Sequence, residues 1–235
     1  MAAKPNFTPK KKRKVHGATF WDREYTSPEY LKLSTKESAD LAKFTRWIER
    51  RERTDVIAPK SSAFDVGCGN GRNLIFLNQH FGMHGVGVDI SGAAIKQAKT
   101  ASSGLPLIYH VGNAGADLPV EDATQTLALD MMASHFLDKK EREHLREELF
   151  RVLAPGGYMF MKTFLRDDDL HTKRLIEEKP GDEDGSYIHP IMGVAEHAYY
   201  EKELVEFLSE RFIVRKIYRS HQHKFRGGAR KRRTI

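Results

Sequence analysis

The stretch FDVGCGNGRN, residues Phe64 to Asn73, places three glycines within five positions behind an aspartate. The preceding SAFDV reads as a short buried strand, and Gly71 to Phe81 carries a helical pattern. A strand, glycine turn and helix in that order belong at the carboxyl end of a strand in an open α/β sheet, where strand order reverses and ligands bind. Glycines are required there because a Cβ would keep the backbone away from a ligand. The spacing narrows the choice. A G-x-G-x-x-G turn starting at Gly67 needs a glycine where Arg72 stands, and a phosphate-cradling P-loop needs G-K-[ST] where the chain has G-R-N.

The rest of the chain repeats the alternation. HGVGVDI reads as a second strand, Ser91 caps a helix to about Ala101, PLIYHV is a third strand and TQTLALD a fourth. Asp138 to Leu153 is helical, APGGYMFMKTFL turns into a fifth strand, and a polar insert occupies residues 166–198. A helix at Glu201 to Arg211, a strand-like FIVRKIYRSH and the start of a last strand in ARKRRTI complete the pattern. Strands separated by helices of 10–15 residues predict a mostly parallel sheet with helices on both faces. Upstream, Leu41, Phe44, Trp47 and Ile48 share a helix face, and Ser34 with Glu37 forms a candidate capping box. The expected organisation is a basic tail at 1–16, a lid and helix at 17–58, and one domain from 59 to 235 that includes the insert.

Asp65 sits just before the turn, where its charge opposes a pyrophosphate but suits a cationic ligand such as a sulfonium. DVGCGNG then resembles the first motif of class I S-adenosylmethionine-dependent methyltransferases, an acidic residue followed by x-G-x-G-x-G. GVGVDIS, GNAGADLP, LALDMMASHFLD and LFRVLAPGGYMFMKTF are similar to the later motifs of that superfamily, in order and each at a predicted strand end. The resemblance covers about residues 60–165. It implies a Rossmann-like sheet of seven strands with the last antiparallel, and S-adenosylmethionine as cofactor. It also implies Asp65, Gly67, Gly69, Gly71 and Asn73 around the turn, and Asp89 and Ile90 at the ribose. Asn113 and Ala114 would meet the adenine, and Asp130 would stand near the emerging methyl group. FWDREY resembles the N-terminal segment of small-molecule methyltransferases of the tellurite-resistance and thiopurine kinds, which makes Trp21 and Tyr25 lid residues over the cofactor.

Three residues are candidates for catalysis. Asp130 and His135 lie at the end of strand four and on the loop after it, where a carboxylate or an imidazole can position an acceptor or take its proton. Lys162 enters through a partial likeness to RNA ribose 2′-O-methyltransferases, whose lysine-aspartate-lysine-glutamate set Asp130 and Lys162 would half fill; ARKRRTI offers no acid for the last place. Lys162 also stands where metal-dependent catechol-type enzymes have an aspartate, so no metal is expected. Cys68 reads as a packing residue within the turn. The expected acceptor is an oxygen, nitrogen or sulfur nucleophile of a small molecule. The alternatives are RNA, or a non-catalytic nucleic-acid-binding module on the same fold.

Charge bears on that choice. The net +7 is unevenly spread: residues 1–16 carry six cations and residues 215–235 nine, with no acid in either. That leaves 24 cations against 32 acids between, an acidic body with two basic ends. Basic ends suit a polyanionic partner or serve as solvated tails. PKKKRKV, Pro9 to Val15, resembles a nuclear import signal and is set aside from fold reasoning. No apolar run reaches the roughly 18 residues of a membrane span, and a single cysteine excludes an internal disulfide. The expectation is a cytoplasmic protein, or a nuclear one if that run acts as an address.

Overall fold

A computed structural model describes residues 17–30, 33–51, 55–167, 169–219 and 233–235. The import-signal-like run and most of ARKRRTI lie outside them. Five parallel strands, β1 (Ser62–Val66), β2 (His84–Asp89), β3 (Leu107–Val111), β4 (Gln125–Met131) and β5 (Leu153–Lys162), form one sheet in the order β3-β2-β1-β4-β5. The chain builds outward from β1 in one direction through β2 and β3, then returns to β1's other side with β4. The strand order therefore reverses between β1 and β4, and their carboxyl ends open a crevice there.

The central strands are buried almost end to end, as parallel strands covered on both faces must be. Alternation divides the side chains between two cores. Ala63, Leu127 and Leu129 meet α3 (Arg72–Phe81), α4 (Gly92–Ala101) and Leu41 and Ile48 of α2 (Ala39–Arg51). Phe64, Val66 and Ala128 meet Leu145, Leu149 and Val152 of α5 (Lys139–Val152). Each of these large side chains contributes about 1.5–3 kcal/mol by leaving water. Local signals start the helices as expected: the Ser91 hydroxyl accepts from Ala94 N at 3.0 Å, and Asp138 forms a capping box with Glu141.

Three expectations need correction. The sheet has five strands among the described residues rather than seven. The fifth predicted strand breaks at Thr163, whose backbone pairs both ways with Ile235, and continues as β6 (Phe164–Leu165). β6 pairs antiparallel with β9 (Arg233–Thr234), away from the main sheet, so the antiparallel last strand is present but displaced. Residues 212–219 form no strand; they are held by side chains, with Phe212 against Phe150 and Lys216 over the Trp47 ring. Ser34 also fails to cap α2. Its hydroxyl accepts from Lys36 N at 3.0 Å, closing a tight turn five residues before the helix begins.

The polar insert is more ordered than its composition suggests. It contains α6 (Leu170–Glu178) and an antiparallel hairpin of β7 (Ser186–Ile188) and β8 (Ala195–His197). A helix α1 (Gly17–Thr26) precedes the domain, and α7 (Glu201–Ser209) follows the hairpin.

Candidate active site

A cleft of about 1180 Å³ opens at the switch point. Its floor is the glycine turn. Gly67 and Gly69 have φ of 61° and 56°, in the left-handed region where a side chain is strained. A Cβ on Gly67 would lie 2.5 Å from Ala133 Cβ, so this glycine lets the turn close on the loop after β4. Cys68, between them, packs toward Gly87 of β2. Burial, then Asp65 and Asp89, push its thiol well above the ordinary value, which removes it as a nucleophile.

Asp89, at the end of β2, lines the cleft beside Ile90. Its two oxygens accept from Gly69 N at 2.8 Å and Ser91 N at 2.9 Å, which fixes the carboxylate across the glycine turn. Burial raises its pKa, while those two N–H groups pull the other way. Each oxygen retains a lone pair for a hydroxyl donor. Asn113 and Ala114, after β3, line the same cleft; Asn113 Oδ1 closes an Asx turn onto Gly115 N at 3.0 Å. A cradle that excludes Cβ atoms beside a fixed carboxylate fits an adenosyl group bearing two ribose hydroxyls.

The helix α1 closes the cleft from above. Asp22 Oδ1 accepts from the Ser91 hydroxyl at 2.7 Å and from Ala93 N at 3.0 Å, at the positive end of α4. Gln97 of α4 donates back to Tyr25 O at 2.6 Å. This clamp brings Trp21 and Tyr25 into the cleft wall, with Trp21 edge-on to Phe136 at 5.1 Å.

Other candidates from the sequence divide. His135 lines the cleft from the 3₁₀ turn Ser134–Phe136, 2% exposed and edge-on to Phe164. Asn73 also lines it, and its Oδ1 accepts from Ser38 N, tying the approach to α2 onto α3. Asp65 is fully buried beneath the turn and is not part of the cleft wall. Burial pushes it up to about 8, against the pull of the Asn73 amide and Arg72. Asp130 is likewise buried, its Oδ1 accepting from Ala133 N and Ser134 N at 3.1 Å each, so it shapes the loop that carries His135. Lys162 is on the opposite face of the sheet. Strand alternation sends it with Tyr158 and Phe160 toward α2, where it pairs with Asp40.

The insert supplies a wall that sequence reasoning did not assign. Ser186, Ile188, Glu196 and His197 of the hairpin line the cleft opposite the glycine turn, and β8 packs against the 3₁₀ turn. Its base is a charge network: Arg142 of α5 grips Glu183 with two bonds of 2.8 and 2.7 Å, and His197 sits between Glu183 and Glu203 at 3.9 and 3.7 Å. Met132, just after β4, has φ 71°, an unusual value for a side-chain-bearing residue, placed on the cleft wall.

The family model described as a methyltransferase domain matches residues 63–157. A solved S-adenosylmethionine-dependent methyltransferase from Methanosarcina mazei superposes with a TM-score of 0.63 at 29% identity, covering 74% of this chain and 90% of that one. The chain is 30% identical over 103 residues to a chloroplastic tocopherol O-methyltransferase of Arabidopsis thaliana, 43% of this chain. It is 26% identical over 151 residues, 64% of this chain, to a probable tRNA methyltransferase 9B of Mus musculus. It spans 29% of the length of each of these two relatives. Strand order, glycine turn, Asp89 and these likenesses agree: residues 63–157 match a methyltransferase domain, the fold is that of the class I S-adenosylmethionine-dependent methyltransferases, and S-adenosylmethionine is the cofactor this fold implies.

Proposed function

We propose that this chain transfers a methyl group from S-adenosylmethionine to an oxygen, nitrogen or sulfur nucleophile of a small molecule. The observation that supports it is the continuity of one cleft from the glycine turn and Asp89 to the insert hairpin, under α1. At about 1180 Å³ it exceeds the roughly 300–1,000 Å³ of a pocket for one drug-sized ligand, leaving space for an acceptor beside the cofactor.

In this reading the turn at Gly67–Gly69 receives the amino-acid end of the cofactor, Asp89 takes the ribose hydroxyls, and Ile90, Asn113 and Ala114 flank the adenine. The cofactor supplies an electrophilic methyl on a sulfonium. The protein's work is alignment and exclusion of water, through the α1 lid and the hairpin wall. Calorimetry with S-adenosylmethionine, followed by labelled-methyl transfer into fractionated cell extract, tests it. Binding with label in the small-molecule fraction supports the reading, and absent binding overturns it.

An RNA acceptor is the second reading, favoured by the likeness to a probable tRNA methyltransferase and by the two basic ends. Label recovered in RNA would select it.

A further inference from the structure

We propose that Glu196, brought in by the insert hairpin, is a positioning residue for His135, and that the two form the pair that takes the acceptor's proton. This rests on the methyl-transfer reading above and adds the group that handles the proton.

The two residues come from segments 61 positions apart and reach the same cleft wall. Each is 2% exposed, and the strand carrying Glu196 packs on the 3₁₀ turn carrying His135. Burying a carboxylate costs several kcal/mol unless it is bonded or paired. Tyr187, directly opposite Glu196 in the hairpin, donates its hydroxyl to Glu196 Oε2 and is itself fully buried. The hairpin thus holds a carboxylate at a fixed position on the cleft wall that also carries His135. A carboxylate against an imidazole fixes ring orientation and stabilises the imidazolium, as in other orienting pairs. Glu183 and Glu203 at the base of the same wall pair with Arg142 and Arg166.

The step balances. A ring nitrogen of His135 takes the acceptor's proton as the acceptor lone pair bonds to the methyl carbon. The carbon–sulfur pair stays on sulfur, which leaves as a neutral thioether, and the imidazolium later yields its proton to solvent. The acceptor is therefore a protic nucleophile, with an O–H, N–H or S–H to lose.

The charged groups on the elements around His135 are Asp130 at the end of β4, Arg142 on α5, and Glu196 and His197 on β8. The test follows the His135 imidazole by NMR titration with S-adenosylmethionine present, its signal assigned by its loss in His135→Asn. Glu196→Gln should lower the midpoint by about one unit. Tyr187→Phe should raise it, because a carboxylate that loses a donor is more basic. Opposite signs from two variants are not expected of a general loss of packing. An unmoved midpoint in Glu196→Gln overturns the pairing. With labelled-methyl transfer as readout, the acidic limb of the rate profile should move the same way as each midpoint; a limb that stays in place overturns the proton-accepting role. Calorimetry on the same samples separates the two readings: wild type that does not bind S-adenosylmethionine defeats the proposed function, whereas binding with an unmoved midpoint defeats only the pair.

Discussion

Tyr25 rests its phenolic oxygen against the backbone of Gly69, so closely that a Cβ on Gly69 would overlap it. The lid and the cofactor turn therefore meet without a side chain between them. Burial, then the nearby Asp89, raise the phenol's pKa, so Tyr25 remains an O–H donor across the working range of pH.

Gly69→Ala meets two penalties at once. A non-glycine residue at φ 56° costs about 1–2 kcal/mol, and the new methyl displaces Tyr25. S-adenosylmethionine affinity should fall tenfold or more by calorimetry, about 1.4 kcal/mol per decade. Adding Tyr25→Phe removes the overlapping oxygen but leaves the ring close by, so it should recover part of the loss. No recovery would mean that the lid is not what Gly69 accommodates.

Asp65 gives a pH signature. Its folded pKa is raised to about 8 from an ordinary value of 3.8, first by burial. Between those values the folded state holds a proton that the unfolded chain has released, so this group's contribution to stability falls as pH rises through the window. Asp65→Asn keeps the shape and removes the slope. The variant's melting temperature should gain on wild type as pH increases from about 4 to 8. A constant difference across that range would contradict the buried, protonated carboxyl.

Much of this was legible in the sequence, for a physical reason. Parallel strands covered on both faces and glycines at strand ends leave local marks, and β1 to β5 with Gly67, Gly69 and Asp89 carry them. The places where reading failed depend on distant partners. Ser34 has a good capping pattern, yet a turn to Lys36 takes its hydroxyl. Lys162 aligns with Asp130 in sequence terms, but the pleat turns it to the other face. The hairpin strands are three residues each, too short for periodicity to show, so Tyr187, Glu196 and His197 left no signal among the insert's polar residues.

Asp22 tests the lid. Its bonds to Ala93 N and the Ser91 hydroxyl lower its pKa, so its clamp is present above the ordinary value of 3.8 and is lost as pH falls through the lower folded value. Asp22→Ala should cost about 1 kcal/mol, the usual worth of a capping carboxylate. The amides of α1 should then exchange with solvent faster while those of α4 hold, since Ser91 still caps Ala94. Equal exchange in α1 of both proteins would remove Asp22 from the lid's attachment.

Lys162→Met separates structure from catalysis at a residue whose sequence position suggests chemistry. Burial pushes Asp40 up, but Lys162 and then Lys43 outweigh it and hold the carboxyl below its ordinary value. Asp40 is thus charged in the wild type, and the pair ties α2 to β5 next to the Phe44–Phe160 stack at 4.4 Å. Methionine keeps the apolar stem and leaves Asp40 with only the exposed Lys43, 3.2 Å away. Removing one partner of a half-buried pair should lower stability by about 1–3 kcal/mol. Because Lys162 is on the α2 face, affinity for S-adenosylmethionine should stay within about twofold, well under 1 kcal/mol. Denaturant melts and calorimetry on one preparation check both, and a collapse of cofactor binding in a folded variant would return Lys162 to the catalytic set.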